Sequence, residues 1–236
     1  MTPPDSDAPA PAIPIPTAEW AAGRPAVPGE GPRGAPLMFV GEQPGDEEDR
    51  QGRPFVGPAG RLFTQALEEA GVARGAAYVT NAVKHFKYTQ RGARRLHQSP
   101  DAGDIKLYRP FLLAEVAAVA PRFLVALGAT ATQALMGRKL PMLKLRGQVF
   151  EAPEELPAGL PVMLTVHPSY LLRLPDPELR KREYERFVAE LRFAGQAARG
   201  EIRRNAGGAP EAPPEPAQPE PAQPEPARGG QGMLPL

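Results

Sequence analysis

Four short apolar runs alternate with longer amphipathic segments across the middle of the chain. The runs read PLMFVGE, AAYVTNAV, FLVALGA and LPVMLTVH. Apolar runs that do not alternate with polar residues are typical of strands buried on both faces. We therefore predict that these four runs form the strands of one parallel sheet.

The segments that connect the apolar runs have helical spacing. In the first segment, Leu62, Phe63 and Leu67 share one face, and Gly71 suits the position just after a helix end. Pro110 falls in what we expect to be the first turn of the second helix, where proline is tolerated. The predicted helices span residues 57–71, 105–120, 130–136 and 179–194. The predicted fold class is α/β: a three-layer α/β/α arrangement with a central four-stranded parallel sheet.

Proline divides the chain into a core and two flanks. The chain has 236 residues and 32 prolines, and the prolines crowd residues 1–36 and 209–235. We predict that residues 1–35 are mostly disordered, with Trp20 as a candidate anchor onto the core. Residues 36–200 form the folded domain. Residues 201–236 form a disordered tail whose repeat, EPAQPEPAQPEPARG, favours extended backbone.

Charge and cysteine content narrow the function classes. The core, residues 36–200, carries 23 Lys and Arg against 18 Asp and Glu, although the whole chain has a net charge of only +1. A basic core permits a polyanionic partner. The chain has no cysteine, which excludes disulfides, thiolate nucleophiles and cysteine-held zinc or iron–sulfur clusters. No apolar run approaches 18 residues and no signal peptide is evident, so we expect no membrane partner and a cytoplasmic, nucleoid-associated protein.

Chemistry is expected where the predicted strands end, because parallel sheets bind ligands beyond the carboxyl ends of their strands. The four ends are followed by GEQPGDEED, NAVKHFK, GATA and HPSYLL. Gly41 and Gly45 allow close approach of backbone to a ligand, although an acidic surface turn explains this stretch equally well. Asn81 suits reading of a base edge or capping of a loop. His167 suits stabilisation of negative charge or capping of a helix.

The stretch TQRGARRLHQSP, residues 89–100, has too few apolar residues for a strand or a packed helix. Its arginines suit phosphate, because a guanidinium forms paired hydrogen bonds to phosphate oxygens. His97, taken alone, is typical of a solvated histidine. Phe55, flanked by Pro54 and Gly57, suits stacking on a flat ring or core packing beneath the loop.

Taken together, these motifs resemble the uracil-DNA glycosylase superfamily. The motifs are GEQPGDEED…GRPFVGPAGR, YVTNAVKHFKYT, ARRLHQSP, LGATAT and TVHPSYLLR, in the family's order from about residue 37 to about residue 195. The resemblance is closest to family X. That branch resembles the iron–sulfur family 4 enzymes but carries Gln rather than Ala in the first motif, with an inserted basic loop that typically reads Lys-Arg-Arg-Ile-His.

The resemblance implies excision of uracil from DNA, with single strands preferred, followed by covalent capture of the abasic C1′ by the loop histidine. Carried over by motif, the catalytic residues are His97, Glu42, Gln43 and His167; the uracil-binding residues are Gly41, Gly45, Phe55 and Asn81; and the DNA-binding residues are Lys84, Arg94, Arg95 and Ser169. A monomer is expected. Two alternatives stay open: a turnover family 4-type glycosylase in which His97 only contacts phosphate, and a non-enzymatic uracil-DNA binding module.

The chain departs from the family pattern in three places. Family members usually hold a [4Fe–4S] cluster through cysteines, whereas this chain has none; His85 and Tyr108 stand near two of the ligand positions. We therefore predict no cofactor and no metal. The loop reads ARRLH rather than KRRIH, which removes one cation. The second motif reads HPSY where HPSS is common, so Tyr170 is expected to change the contacts to DNA beside the lesion.

Overall fold

The structure, a computed structural model, describes residues 14–202, and in this range helices cover both faces of a mainly parallel sheet. The predicted α/β class and three-layer arrangement are confirmed. The strands of this range are β1 (Leu37–Gly41), β2 (Tyr78–Asn81), β3 (Tyr88–Arg91), β4 (Arg94–His97), β5 (Phe123–Leu127), β6 (Val149–Glu151) and β7 (Pro161–Thr165). The helices are α1 (Asp46–Gln51), α2 (Pro58–Glu69), α3 (Ala102–Val119), α4 (Ala129–Met136), α5 (Pro168–Leu172) and α6 (Pro177–Ala198).

Within residues 14–202 the central sheet has five strands in the order β2-β1-β5-β7-β6. The first four are the predicted strands, and all of their pairings are parallel. The fifth, β6, pairs antiparallel with β7 at the edge. The sequence prediction missed this strand because three partly exposed residues are too short to show a period.

The sheet is buried on both faces. Phe39 points toward the cluster that contains Phe63 of α2 and Phe187 of α6, whereas Met38 points toward the cluster that contains Leu112 of α3. All five residues of β1, of β5 and of β7 are therefore buried, and Thr165 at the end of β7 is the one polar side chain among them. Removal of apolar surface on both sides stabilises the sheet by about 25 cal/mol for each Å² buried.

Helix α3 begins earlier than its apolar spacing predicts. The Asp101 side chain accepts hydrogen bonds from the backbone N–H groups of Gly103 and Asp104, and the Asp104 side chain accepts one from the N–H of Asp101. This capping box starts the helix at Ala102. Pro110 therefore lies inside the helix and not in its first turn, so that part of the prediction is wrong.

Residues 14–35, expected to be mostly disordered, pack onto the domain. Ala18, Ala21 and Val27 are buried, the backbone N–H of Val27 donates to Lys84 O, and Glu30 forms a bridge with Val79 of β2. Trp20 anchors the segment as expected, because its indole N–H donates to Asp104 Oδ1 at 2.7 Å. We call residues 14–35 the strap. Its apolar content is low and hydrogen bonds hold much of it, so the sequence did not predict that it packs onto the domain. Residues 1–13 and 203–236, also predicted to be disordered, lie outside the described residues.

The basic loop forms a hairpin, which corrects the expectation that it contains no strand. Strands β3 and β4 pair antiparallel, with Tyr88 opposite His97 and Arg91 opposite Arg94. Gly92 occupies the turn with a φ of 59°, which the turn of a two-residue hairpin requires. Most side chains of both strands are exposed, so no apolar alternation marks the hairpin in the sequence.

Lys84, expected to contact DNA, is fully buried beneath the sheet edge. Its ammonium group binds Glu115 Oε2 at 2.6 Å and also donates to the Thr80 hydroxyl. Glu115 accepts further hydrogen bonds from the hydroxyl groups of Tyr78 and Thr80. Burial lowers the pKa of Lys84, and the charge of Glu115 opposes that shift. Lys84 is therefore a core ion-pair residue, and the DNA-contact prediction for it is wrong.

We predict that Lys84→Met lowers the free energy of unfolding by about 3–5 kcal/mol, because the Glu115 carboxylate stays buried without its cation. The double variant Lys84→Met with Glu115→Leu regains most of this loss. Urea denaturation measures both. Arg199→Met, which breaks an exposed pair with Glu201, is the matched control and changes stability by less than about 0.5 kcal/mol. A Lys84→Met variant as stable as the wild type would contradict the assignment.

Candidate active site

The carboxyl ends of the parallel strands bring the expected side chains to one edge of the sheet. Glu42 follows β1, Asn81 ends β2 beside Gly41, and His167 follows β7. The turn after β5 joins them, since Gly128 N donates to Thr165 O at 2.8 Å. The strand-end rule therefore predicted from the sequence that these side chains converge at one edge.

Gly41 is needed because Asn81 and Phe55 converge on it. A Cβ atom on Gly41 would lie 2.4 Å from Asn81 Oδ1 and 2.6 Å from Phe55 Cζ. Phe55 is buried and has a φ of 56°, an uncommon conformation for a residue other than glycine. Its ring centroid lies 6.1 Å from that of His167. An amide, an aromatic ring and an imidazole therefore face the same point at the sheet edge.

A buried carboxylate that sequence reasoning missed organises the first-motif loop. Glu48 accepts hydrogen bonds from the backbone N–H groups of Gly45, at 3.1 Å, and Gly57, at 2.8 Å. A Cβ atom on Gly45 would lie 2.6 Å from Glu48 Oε2. Gly45 thus makes room for this carboxylate, and its N–H is already satisfied by Glu48 rather than directed at a ligand.

Glu42 and His97 form the contact at the centre of the site. His97 Nε2 lies 3.2 Å from Glu42 Oε1, and the imidazole side chain is 49% exposed. Thr130, which the sequence analysis did not select, donates its hydroxyl to Glu42 Oε2 at 2.7 Å. Burial acts to raise the pKa of Glu42, but the hydrogen bonds from His97 and Thr130 outweigh it and hold the pKa below its usual value. Glu42 is therefore a carboxylate that can receive a proton.

His167 is neutral at physiological pH. Burial lowers the pKa of His167 to about 4, although the charge of Glu42 opposes the shift. Its Nδ1 accepts the backbone N–H of Ser169 at 3.2 Å and caps the start of α5. This hydrogen bond assigns the ring proton to Nε2, so the imidazole presents a neutral donor.

Gln43 holds the hairpin in place. Its amide nitrogen donates to the carbonyl oxygens of Lys87 and Gln98, at 3.2 and 3.0 Å, and its oxygen accepts the N–H of Lys87 at 3.2 Å. Lys87 and Gln98 are the residues on either side of the paired strands, and Lys87 also binds Asp101 and Asp104. Gln43 therefore fixes the base of the hairpin that carries His97.

Arg94 and Arg95, the two hairpin arginines that were expected to bind DNA, differ in their contacts. Arg95 binds Asp46 and, at 2.5 Å, Asp49, and its guanidinium lies 5.1 Å from the Tyr88 ring centroid. These contacts attach the hairpin to α1. They also occupy the Arg95 guanidinium, so the prediction that Arg95 binds DNA phosphate is wrong. Arg94 is exposed, and no acidic partner for it is found within residues 14–202.

Ser169, the remaining residue expected to contact DNA, is occupied by contacts within the protein. Its hydroxyl lies 2.8 Å from His167 Nδ1 and accepts a hydrogen bond from Arg173 at 2.9 Å. Ser169 thus supports the orientation of His167 and holds a cation beside it.

The region where the resemblance places cluster ligands is filled by protein groups. His85 Nδ1 lies 2.7 Å from the Tyr108 hydroxyl, which also accepts the backbone N–H of Ala18 at 3.3 Å. The Trp20 ring stands edge-on to His85, with 6.4 Å between ring centroids. Within the described residues, no group of three His, Cys, Asp or Glu side chains is arranged to hold a metal ion. This region does not fit a thiolate-held cluster.

The low pKa of His167 predicts a loss of stability in acid. An unfolded histidine has a pKa near 6.5, so between pH 6.5 and pH 4 the unfolded state binds the extra proton. The contribution of His167 is therefore complete above pH 6.5 and is lost as the pH falls toward 4. With allowance for its partial exposure, we expect wild type to lose about 2 kcal/mol more than His167→Gln over this range. Urea unfolding at several pH values measures this difference, and parallel curves would contradict it.

Curated relatives are similar over most of the domain. The chain is 41% identical to a Type-4 uracil-DNA glycosylase of Thermotoga maritima over 65% of this chain and 74% of the relative. It is 39% identical to a Type-4 uracil-DNA glycosylase of Pyrobaculum aerophilum, over 64% of this chain and 74% of the relative. It is 37% identical to a Type-4 uracil-DNA glycosylase of Sulfurisphaera tokodaii, over 66% of this chain and 69% of the relative.

These relatives contradict the prediction that the protein has no cofactor. Their shared name places them in type 4, the class for which the resemblance implies an iron–sulfur cluster. The prediction rested on the absence of cysteine alone, which excludes thiolate ligands and says nothing of other donors.

The family itself follows from a match across most of the chain. The model of the family described as "Uracil DNA glycosylase superfamily" matches residues 28–192, which include the last eight residues of the strap, the hairpin and every strand of the described structure. Within the described residues, no helix is long and apolar enough to cross a membrane. The strand-end site, the match and the relatives agree, and this chain belongs to the uracil-DNA glycosylase superfamily.

Proposed function

We propose that this chain excises uracil from DNA and then captures the resulting abasic site through His97. The contact between His97 Nε2 and Glu42 Oε1, 3.2 Å long at the strand-end site, is the observation that carries the proposal. The names of the Type-4 relatives support the excision step.

In this proposal the uracil leaves the base stack and enters the space bounded by Phe55, Asn81 and His167. An enzyme reaches the glycosidic bond only after such a flip. The Phe55 ring stacks on the uracil, and the Asn81 amide reads its edge, since one amide offers both a donor and an acceptor. When the C1′–N1 bond breaks, its electron pair stays on uracil. The neutral Nε2–H of His167 stabilises that charge.

Capture follows from the proximity of His97 to the sugar cation. A ring nitrogen of the neutral imidazole donates its lone pair to C1′ and forms a C–N bond. The adduct is at first an imidazolium, and its remaining N–H proton passes to the Glu42 carboxylate. Glu42 suits this role because its lowered pKa keeps it ionised before the reaction. The fixed position of His97 on the hairpin favours it over water.

DNA binding in this proposal depends on Arg91 and Arg94, which are exposed opposite each other at the hairpin tip. Single-stranded DNA is the preferred substrate, because an unpaired base costs least to flip. We further infer that the protein acts as a monomer, since all the residues of the site come from one chain. The cytoplasmic location stays a prediction.

Incubation of the protein with labelled uracil-containing single-stranded DNA is expected to give a complex that survives SDS and heat, with none from thymine DNA. His97→Ala removes the nucleophile and abolishes this band while slow uracil release continues. Arg94→Ala is the matched control on the same hairpin: it weakens DNA binding but leaves the adduct. Free abasic DNA released over many turnovers by the wild type would favour the turnover glycosylase. Uracil-DNA affinity without any base release would favour the binding module.

Thr130→Val is expected to slow adduct formation about tenfold, the rate equivalent of one hydrogen bond of about 1.4 kcal/mol. Loss of this bond also raises the pKa of Glu42, so the acidic limb of the pH–rate profile moves to higher pH. Thr130→Ser restores the rate. Thr132→Val serves as the control, because the Thr132 hydroxyl lies on the same helix but donates to Gly128 O. An unchanged pH profile in Thr130→Val would contradict a role through Glu42.

A further inference from the structure

A second concave surface lies between α2, α5 and α6, outside the reaction site. This groove of about 280 Å³ is lined mainly by Leu62, Leu171, Leu172 and Tyr184, together with Arg180 and Lys181. Leu172 is 45% exposed, which is unusual for a leucine that lies beside other apolar side chains. The proposed chemistry uses none of these six residues. The groove is therefore a candidate docking surface separate from the reaction site.

The groove favours a ligand that is both apolar and acidic. Lys181 is exposed, and no acidic partner for it is found among residues 14–202. The Arg180 guanidinium donates to Leu174 O at 3.0 and 2.6 Å, which positions the cation without neutralising it. The residues that line the groove include these two cations and no acid, and the nearby Glu69 carboxylate accepts hydrogen bonds from the Tyr184 hydroxyl and the Gln65 amide. Positive charge therefore stays available beside an apolar floor.

The chain carries a segment with this chemistry. Residues 209–227 contain four Glu, eight Pro and no Lys or Arg. Within the EPAQP repeats, Pro216 is followed three residues later by Pro219, and Pro221 by Pro224. Proline spacing of three matches the period of a polyproline II helix, in which positions three residues apart share one face. Such Pro-x-x-Pro faces dock into aromatic-lined apolar grooves, while Glu220 between the pairs suits the cations of this groove.

The segment reaches the groove of its own chain. The described structure ends at Ile202, just after α6, and Tyr184 precedes the end of that helix by 14 residues, or about 21 Å. The 13 residues from 203 to 215 span up to about 45 Å when extended. Tethering also raises the effective concentration of the segment to about the millimolar range, so a weak contact suffices.

We propose that the EPAQP repeats of residues 215–225 dock into the groove between α2, α5 and α6. Leu172 lies on the short helix that starts directly after His167. The groove therefore borders the helix that begins at the candidate active site. The contact is intramolecular, and it does not depend on the covalent chemistry proposed above.

The absence of cysteine in the chain allows a direct test by disulfide trapping in the full-length protein. The trap pairs Gln65→Cys, in the groove wall, with Gln218→Cys in the repeat. The control pairs Glu151→Cys with Gln218→Cys. Glu151 is exposed and pairs with Pro161, which lies in the same small cleft as Ile202. The control site is therefore close to the start of the tail. If the tail had no preferred docking site, the control disulfide would form faster than the Gln65 disulfide.

We expect the intramolecular disulfide of the Gln65 pair to form at least tenfold faster than that of the control, as followed by non-reducing gel mobility and mass spectrometry. Lys181→Glu should slow it several-fold. Equal rates for the two pairs would overturn the proposal, as would disulfide-linked dimers as the main product, which assign the groove to a second copy. Lys181→Glu could instead weaken the binding of uracil-free single-stranded DNA and leave the trapping rate unchanged. That result would assign the groove to DNA and would also overturn the docking proposal.

Discussion

The attachment of the β3–β4 hairpin to the end of the sheet is the constraint on which the site depends. The hairpin contributes almost nothing to the apolar core, so polar contacts must hold it. Gln43 bonds the backbone at both sides of its base, and Arg95 binds Asp46 and Asp49 of α1. These contacts place His97 within 3.2 Å of Glu42. A free hairpin would leave the imidazole in solvent, and its contact with Glu42 would be lost.

Buried charges in this domain are satisfied in pairs, and this explains why several cations do not face DNA. Lys84 and Glu115 neutralise each other beneath β2, and Arg146 binds Glu190 at 2.9 Å and also Glu183. A buried ion is tolerated only when a partner and hydrogen bonds replace water. The basic excess of the sequence therefore overstates the positive charge available to a polyanion, whereas Arg91 and Arg94 stay exposed on the hairpin.

The strap of residues 14–35 shows how a region without strong apolar content becomes part of the fold. Its Trp20 and Ala18 contact Asp104 and Tyr108, and Tyr108 in turn contacts His85. Each of these contacts joins groups more than 20 residues apart in the sequence. The strap therefore depends on α3 and on the segment after β2 for its partners.

The sequence by itself determined the layers of the fold and the edge that bears the site. Apolar runs without alternation predict strands buried on both faces, and the parallel arrangement brings Glu42, Asn81 and His167 to one end. These features depend on local patterns, which a sequence displays directly. Only the tertiary structure decided which polar groups meet. Lys84 is buried and paired, Arg95 binds carboxylates, Gln43 holds the hairpin, and Thr130 orients Glu42, because each outcome depends on a partner far away in the chain. The hairpin itself was hidden for the same reason: its strands are stabilised by pairing and by distant polar contacts, and neither leaves a period in the sequence.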